Sequence, residues 1–333
     1  MTAEPLSVPP TRTFHVAPDE VGERLDRFLA KHLPDRSRSG LSRLIENGRV
    51  KVSGKVPTKA GHALRVDDAV IIEELPEPAE TDNLAENIPL VIVYQDAHLA
   101  VIDKPAGLVV HPAPGHRTGT LVNALLHWAK EEDITLDVDD EVRPGLVHRI
   151  DKDTSGLLVV AFNDLTLRGL QAQFAAHQTE RRYRAVVLGP RIEEAGTITT
   201  KYGRDPKDRK RFTGRVETAP RTAITHWRMI QRGKALALIE LALETGRTHQ
   251  IRVHLSESGH PIIADPIYGQ VLSKNANGTF STLANQELRA ARVMPRLALH
   301  AAILGFVHPI TGEKLRLESP DPADFATLVA ALR

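Results

Sequence analysis

Between Val66 and Asp96 the chain carries nine aspartates and glutamates and neither a lysine nor an arginine. Inside that stretch, Leu75-Pro76-Glu77-Pro78-Ala79-Glu80 contains two prolines, which break regular pairing, and two carboxylates, which resist burial without partners. A single core cannot run through it. The segment predicts a stiff acidic linker over residues 76–88 and splits the 333 residues into a small and a large unit, residues 19–75 and 89–325. Residues 1–18, with Pro5, Pro9 and Pro10 and no apolar signal core, predict a disordered tail.

The small unit is basic. Residues 20–65 hold eleven lysines and arginines against five acids, although the formal net charge of the whole chain is only +1. Val21, Leu25, Phe28, Leu29 and Leu33 recur at helical spacing, so a helix is predicted from Asp19 to Leu33, ended by Pro34. Ser37 or Ser39 can cap a second, short helix that buries Leu41, Leu44 and Ile45 and stops at Asn47-Gly48. Val50, Val52 and Val56 around Ser53-Gly54 predict a hairpin, and Val70–Ile72 a further strand. Such a unit can neutralise phosphates, which makes Arg24, Arg38 and Arg43 candidate RNA contacts. On charge alone, a solvated face explains the same residues.

In the large unit the informative stretch is Val147–Ala161. Leu157–Ala161 has the composition of a buried strand, whereas His148, Arg149, Asp151, Lys152 and Asp153 carry too much charge to be buried together without partners. Thr154-Ser155-Gly156 is turn chemistry. The reading is a charged loop delivered by a rigid strand: either a solvated turn or a mount for catalytic groups. Further strands are predicted at Leu90–Tyr94, Leu99–Ile102, Arg181–Gly189 and Ala235–Leu243, with helices from Gly119 and over Asp164–His177. Glu131–Glu141 holds seven acids and reads as an exposed insertion. Lys201–Arg215, with seven bases and two acids, reads as a flexible positive loop suited to gripping phosphate.

His148 to Gly156 resembles H-R-L-D-x-x-T-S-G, the active-site motif of RluA-type RNA pseudouridine synthases, with Ile150 in place of the usual Leu. Lys104 to Pro112 is similar to the same family's K-P-x-G-x-x-V-H-P, and the strand around Tyr183 to its x-Y-x-A-x-V-x-G. Gly246 to Leu255 reads G-R-T-H-Q-I-R-V-H-L, as in the family. Gly259 to Gly269 resembles G-H-P-I-x-G-D-x-x-Y-G, with Ala264 replacing a glycine and so altering local backbone freedom. Leu299 to Gly312 resembles the C-terminal run. Arg24–Leu29, Ser37–Ile45 and Gly48–Gly54 resemble the S4 RNA-binding domain. The matches keep the family's order over residues 20–320, and the likeness is greatest to the RluD-type subfamily, which acts on large-subunit (23S) ribosomal RNA.

This resemblance implies an α+β fold: a mixed, mainly antiparallel β-sheet catalytic domain flanked by helices, plus a small α/β S4-like N-terminal domain. It implies isomerisation of uridine to pseudouridine with base flipping. Asp151 is then the catalytic aspartate, Arg252 its guanidinium partner, and Tyr183 the residue that stacks on the base and handles the C5 proton. Alone, Tyr183 would read as a half-buried packing residue. His148, Arg149 and Arg247 become substrate or RNA contacts. Neither metal nor cofactor is expected, since His249, His254 and His260 lack a zinc spacing and no nucleotide-binding motif is found. The absence of cysteine excludes disulfides and thiolate chemistry and suits the cytoplasm. RNA is the expected partner, with no membrane contact and a monomeric state. Two alternatives are a non-catalytic RNA-binding ribosome-assembly factor and a glycosidase with Asp153 or Asp265 as second carboxylate.

Overall fold

The structure is a computed structural model that describes residues 11–33, 41, 44–45, 48–73, 84–112, 118–136, 145–189, 191–208, 210–216, 218–269 and 282–332. It separates into two compact units, Met1–Thr81 and Asp82–Arg333.

In the first unit, strands β1 (Thr11–His15), β2 (Val50–Val52) and β3 (Ala69–Glu73) form an antiparallel sheet in the order β1-β3-β2. The expected tail is therefore ordered from Thr11: its polar sequence becomes a strand by pairing with β3 from Thr11–Glu73 to His15–Ala69. The first helix is also shorter than its periodicity suggests. A 3-10 turn at Pro18–Glu20 precedes Gly22, at φ +83°, and helix α1 begins only at Leu25 and ends at His32. Val21 is consequently exposed, while Leu25, Phe28 and Leu29 are fully buried against Leu41, Ile45, Val50 and Val70. Ser53 and Gly54, both at positive φ, turn β2 back toward Lys55.

The second unit is built on one ten-stranded sheet. Its strands are β4 (Val91–Gln95), β5 (Leu99–Lys104), β6 (Ser155–Ala161), β7 (Glu180–Leu188), β8 (Ala195–Arg204), β9 (Phe212–Thr213), β10 (Arg221–Arg232), β11 (Leu236–Leu243), β12 (Leu299–Val307) and β13 (Lys314–Glu318). The order is β4-β5-β6-β12-β7-β11-β10-β8-β9, with β13 on β12. Pairing is antiparallel except between β6 and β12. Alternate residues of β5 and β6 enter different cores: Ala100, Ile102, Leu158 and Val160 in one, Leu99, Val101, Leu157 and Val159 in the other. Both faces are therefore covered, which is why β6 reads as a continuous apolar run. Leu121 and Leu125 of helix α2 (Leu121–Glu131) join the first core, and Leu167 and Leu170 of helix α3 (Asp164–Ala175) the second.

Two expectations change here. Residues 84–88, assigned to the linker, are fastened to the second unit: Asn123 Nδ2 donates to the Leu84 carbonyl at 2.7 Å, and Gly119 N–H donates to Glu86 Oε1 at 2.9 Å. The basic segment Lys201–Arg215 is not one loop, because it contributes the end of β8 and all of β9. Tyr202 is buried there and stacks with Phe212, their ring centroids 6.0 Å apart. Apolar anchors override the charge pattern, while Lys201 and Arg204 of β8 and Arg215 after β9 stay exposed.

Candidate active site

The apolar half of β6 fixes where the charged loop before it must lie. Thr154 N–H donates to the Asp151 carbonyl at 3.1 Å, closing a turn. Gly156, at φ +112°, lets β6 lie against β12; a Cβ there would stand 2.2 Å from the Ala301 carbonyl oxygen. A second clamp comes from below. Lys104 is fully buried at the end of β5, and its ammonium donates to the carbonyls of Pro105 (2.7 Å), Leu108 (3.0 Å) and Lys152 (3.0 Å). All three donors are satisfied, so the lysine ties two loops together. Burial lowers its pKa to about 7, against the opposing pull of Asp153 and Asp151.

Arg252 arrives from the opposite side, on helix α4 (Gln250–Glu257). Its Nε and Nη2 donate to Asp265 Oδ2 and Oδ1 at 2.8 and 2.9 Å, and its Nη1 donates to Asp151 Oδ2 at 2.9 Å. Asp265 also accepts from the backbone N–H groups of Ile267 and Tyr268. Burial alone would raise the Asp265 pKa, but the Arg252 guanidinium and these N–H donors hold it below the usual carboxylate value. The two carboxylates in turn raise the pKa of Arg252 against the burial that opposes its charge. A buried carboxylate thus fixes the guanidinium, and the guanidinium fixes Asp151, whose side chain is 19% exposed against 1% for Asp265.

Asp151, Arg252 and Tyr183 line one cleft of about 540 Å³, together with Arg149, Arg247 and His249. Tyr183 stands on β7, 8% exposed, and its hydroxyl has no hydrogen-bond partner among the described residues. Burial and the Asp151 carboxylate raise its pKa, outweighing Arg181, so it is a neutral phenol. Arg149 and Arg247 are exposed at the cleft. The loop that carries Arg247 is anchored by Gln250, which accepts from Thr245 Oγ1 and Arg247 N–H and donates to the Ile224 carbonyl and Thr225 Oγ1.

His148 behaves differently from a phosphate contact. Its ring stacks on Phe174 at 4.6 Å, and Nε2 accepts from Val159 N–H at 3.3 Å. Burial, reinforced by Arg181, lowers its pKa to about 3, so it organises the loop as a neutral ring. Arg24 is likewise engaged within its own unit, donating to both carboxylate oxygens of Asp26 at 2.9 and 3.1 Å. Arg38 and Arg43 lie outside the described residues. His254 bridges Thr225 and Thr200, and His260 approaches the Leu188 carbonyl.

Lys104, Tyr268 and His249 did not emerge from sequence patterns as members of this site, and Asp265 did so only as a glycosidase's second carboxylate. A signal existed for Lys104 and Asp265: Asp265 is a lone charge within Ile262 to Ile267, and Lys104 follows the apolar run Leu99–Ile102 beside Asp103, so burial of either demands partners.

Residues 98–257 match the family model for RNA pseudouridylate synthase, and residues 23–70 match the S4 domain. An RNA pseudouridine synthase of Synechocystis sp. is 42% identical over 96% of this chain and 91% of its own length. Ribosomal large subunit pseudouridine synthase D of Pseudomonas aeruginosa is 43% identical over 94% and 92%. The chain belongs to the RNA pseudouridine synthase family. Among solved structures, human RNA pseudouridylate synthase domain containing 4 superposes with a TM-score of 0.55 at 26% identity, covering 72% of this chain and 92% of that one. The mixed sheet and the S4 domain are those of a pseudouridine synthase, and uridine isomerisation is the family's reaction. Among the described residues, no helix is long and apolar enough to cross a membrane.

Proposed function

We propose that the protein converts uridines of large-subunit (23S) ribosomal RNA to pseudouridine, with Asp151 as the acting carboxylate. The observation that carries this reading is the partly exposed Asp151 carboxylate held 2.9 Å from Arg252 on the wall of a cleft that also contains Tyr183. The RNA class follows the relatives named for the large ribosomal subunit. We place the enzyme in the cytoplasm as a monomer.

The target uridine leaves its stack and enters the cleft, because no side chain reaches C1′ within a duplex. Arg252 orients the Asp151 carboxylate through a charge-assisted hydrogen bond. Two routes use it: attack on C1′, which forms an ester as the N1–C1′ bond breaks, or removal of the 2′ proton, which gives a glycal. In both, uracil is freed and turns, and C5 bonds to C1′ as the C1′–O bond of the ester breaks in the first route, or as Asp151 returns the proton to C2′ of the glycal in the second. C5 then loses its proton and N1 gains one, so nothing is consumed. Loss of the C5 proton restores the aromatic ring, and a weak acceptor suffices. Tyr183 serves as a relay: its oxygen accepts that proton while its own hydroxyl proton passes to solvent, from which N1 is protonated. Arg149 and Arg247 hold the flanking phosphates, and the S4 unit grips RNA elsewhere.

The test is pseudouridine mapping in ribosomal RNA from cells lacking the gene, complemented by wild type or by Asp151→Asn. Sites lost in the deletion should return only with wild type. Restoration by Asp151→Asn would remove the carboxylate from the chemistry.

A further inference from the structure

His249 is not needed by the scheme above, yet the fold goes to some length to place it. It precedes α4 in the left-handed conformation, at φ +59°, which non-glycine residues seldom adopt. The backbone around it is pinned: Tyr202 donates its hydroxyl proton to the Thr248 carbonyl at 2.6 Å, and Val253 N–H donates to the His249 carbonyl at 3.0 Å. The ring is held edge-on between Phe212 and Tyr268, with centroids 5.9 and 5.6 Å away.

The tautomer follows from the hydrogen-bond chain. Phe212 N–H can only donate, and it donates to the Tyr268 hydroxyl oxygen at 2.8 Å. That hydroxyl has one proton to give, and His249 Nδ1, at 3.0 Å, is the acceptor in reach. The imidazole proton is then on Nε2, which has no partner among the described residues while the residue lines the cleft. Burial, with Arg252 and Arg149 near, lowers the His249 pKa against the pull of Asp151 and Asp265. The ring enters the reaction neutral, as a donor without charge.

We infer that His249 reads the flipped base, donating a hydrogen bond from Nε2 to a carbonyl oxygen of uracil. This rests on the proposed uridine site. A neutral donor suits a carbonyl, whereas phosphates are served by the two exposed guanidiniums. The chemistry of the turn makes the choice informative. Rotating uracil about its N3–C6 axis exchanges N1 with C5 and, in the same motion, O2 with O4. One fixed donor therefore meets a carbonyl before the turn and the other carbonyl after it. Cytosine presents an amino group in one of those two positions, so the same donor discriminates against cytidine.

The experiment measures conversion of an RNA stem–loop that carries a mapped target as uridine, 2-thiouridine or 4-thiouridine. Sulfur accepts hydrogen bonds poorly. Wild type should lose about tenfold in kcat/KM with each thio substitution. His249→Phe should lose a similar factor on uridine and show little further loss on either analogue. His249→Asn, which tolerates the left-handed conformation and keeps an N–H donor, should recover part of the rate and of the discrimination. If His249→Phe and His249→Asn both discriminate against the analogues as wild type does, or convert uridine at the wild-type rate, the inference is overturned. A wild type that leaves the uridine substrate unconverted would instead overturn the site reading on which it stands.

Discussion

Arg252 spans two carboxylates of unequal burial: its Nε–Nη2 edge closes on Asp265, and its Nη1 alone reaches Asp151 at 2.9 Å. The geometry divides structure from chemistry within one guanidinium. Asp265 is 1% exposed and cannot lose its partner cheaply, whereas Asp151 still meets solvent. Asp265→Asn should lower unfolding free energy by about 3–5 kcal/mol, as expected for breaking a buried pair, and reduce turnover as Arg252 loosens. Asp151→Asn should change stability by less than about 1 kcal/mol while abolishing turnover and preserving RNA affinity. Denaturant unfolding and filter binding on the two variants check the division. Equal destabilisation by both would make the triad merely architectural.

The buried histidines make the fold acid-labile in a definite window. His254 and His148 are lowered by burial from 6.5 to about 4 and about 3, so both stay neutral in the fold after the unfolded chain has begun to protonate. Below pH 6.5 the unfolded state binds more protons, and stability falls as pH drops toward 4; above 6.5 these two rings contribute no slope. For His254 the loss across that window is about 3 kcal/mol. His254→Gln, able to bridge Thr200 and Thr225, should be somewhat less stable at pH 7.5 but show a shallower decline toward pH 4. Parallel curves for variant and wild type would place the acid sensitivity elsewhere.

Two small residues carry opposite expectations. Ala264 sits at φ +56° and is exposed, so its Cβ adds strain without packing. Ala264→Gly should raise stability by up to about 1 kcal/mol, the reverse of the usual cost of glycine. At Gly156 a Cβ would stand 2.2 Å from the Ala301 carbonyl oxygen, across the parallel β6–β12 pairing. Gly156→Ala should cost about 3 kcal/mol or more and displace the Asp151 loop, with turnover lost. Thermal unfolding of the two proteins reads both signs.

What the sequence made legible was whatever its local pattern or a motif could carry. The apolar runs of β5, β6 and β11 declare themselves because both faces of those strands are covered, and the repeat of Leu25, Phe28 and Leu29 because burial there has the period of a helix. The meeting of Asp151 with Arg252, 101 positions apart, came from the likeness of two motifs and not from either segment's physics. Thr11–His15 looked like a tail because only its partner β3 makes it a strand. Lys201–Arg215 reads as a loop because nine charges obscure the buried Tyr202 and its stacked Phe212. The cradle of Lys104 and the left-handed His249 depend on carbonyls and hydroxyls supplied by distant segments, which no local pattern records.

Among the described residues, the S4 unit holds cations of two kinds, and salt should tell them apart. Arg24 is closed on Asp26, Lys31 on Glu23, and Arg49 and Lys51 on Glu73. Arg27, Lys55, Lys59 and Arg65 are exposed, and none forms a side-chain ion pair among the described residues, although Asp68 accepts from the Arg65 backbone N–H at 2.8 Å. Each free cation that neutralises a phosphate releases condensed counterions and steepens the fall of affinity with salt by about 0.7–0.9 in log–log slope. Replacing Arg27, Lys55, Lys59 and Arg65 together by glutamine should therefore weaken RNA binding at low salt and flatten the slope by up to about 3, with little change in stability. Arg24→Gln should do the reverse, because Asp26 is 3% exposed and loses the guanidinium that faces it. Its slope should stay at the wild-type value while the unit melts earlier. Titrations of RNA affinity between 50 and 300 mM salt, beside unfolding curves of the same proteins, decide the matter. An unchanged slope in the fourfold variant would mean that these side chains meet no phosphate.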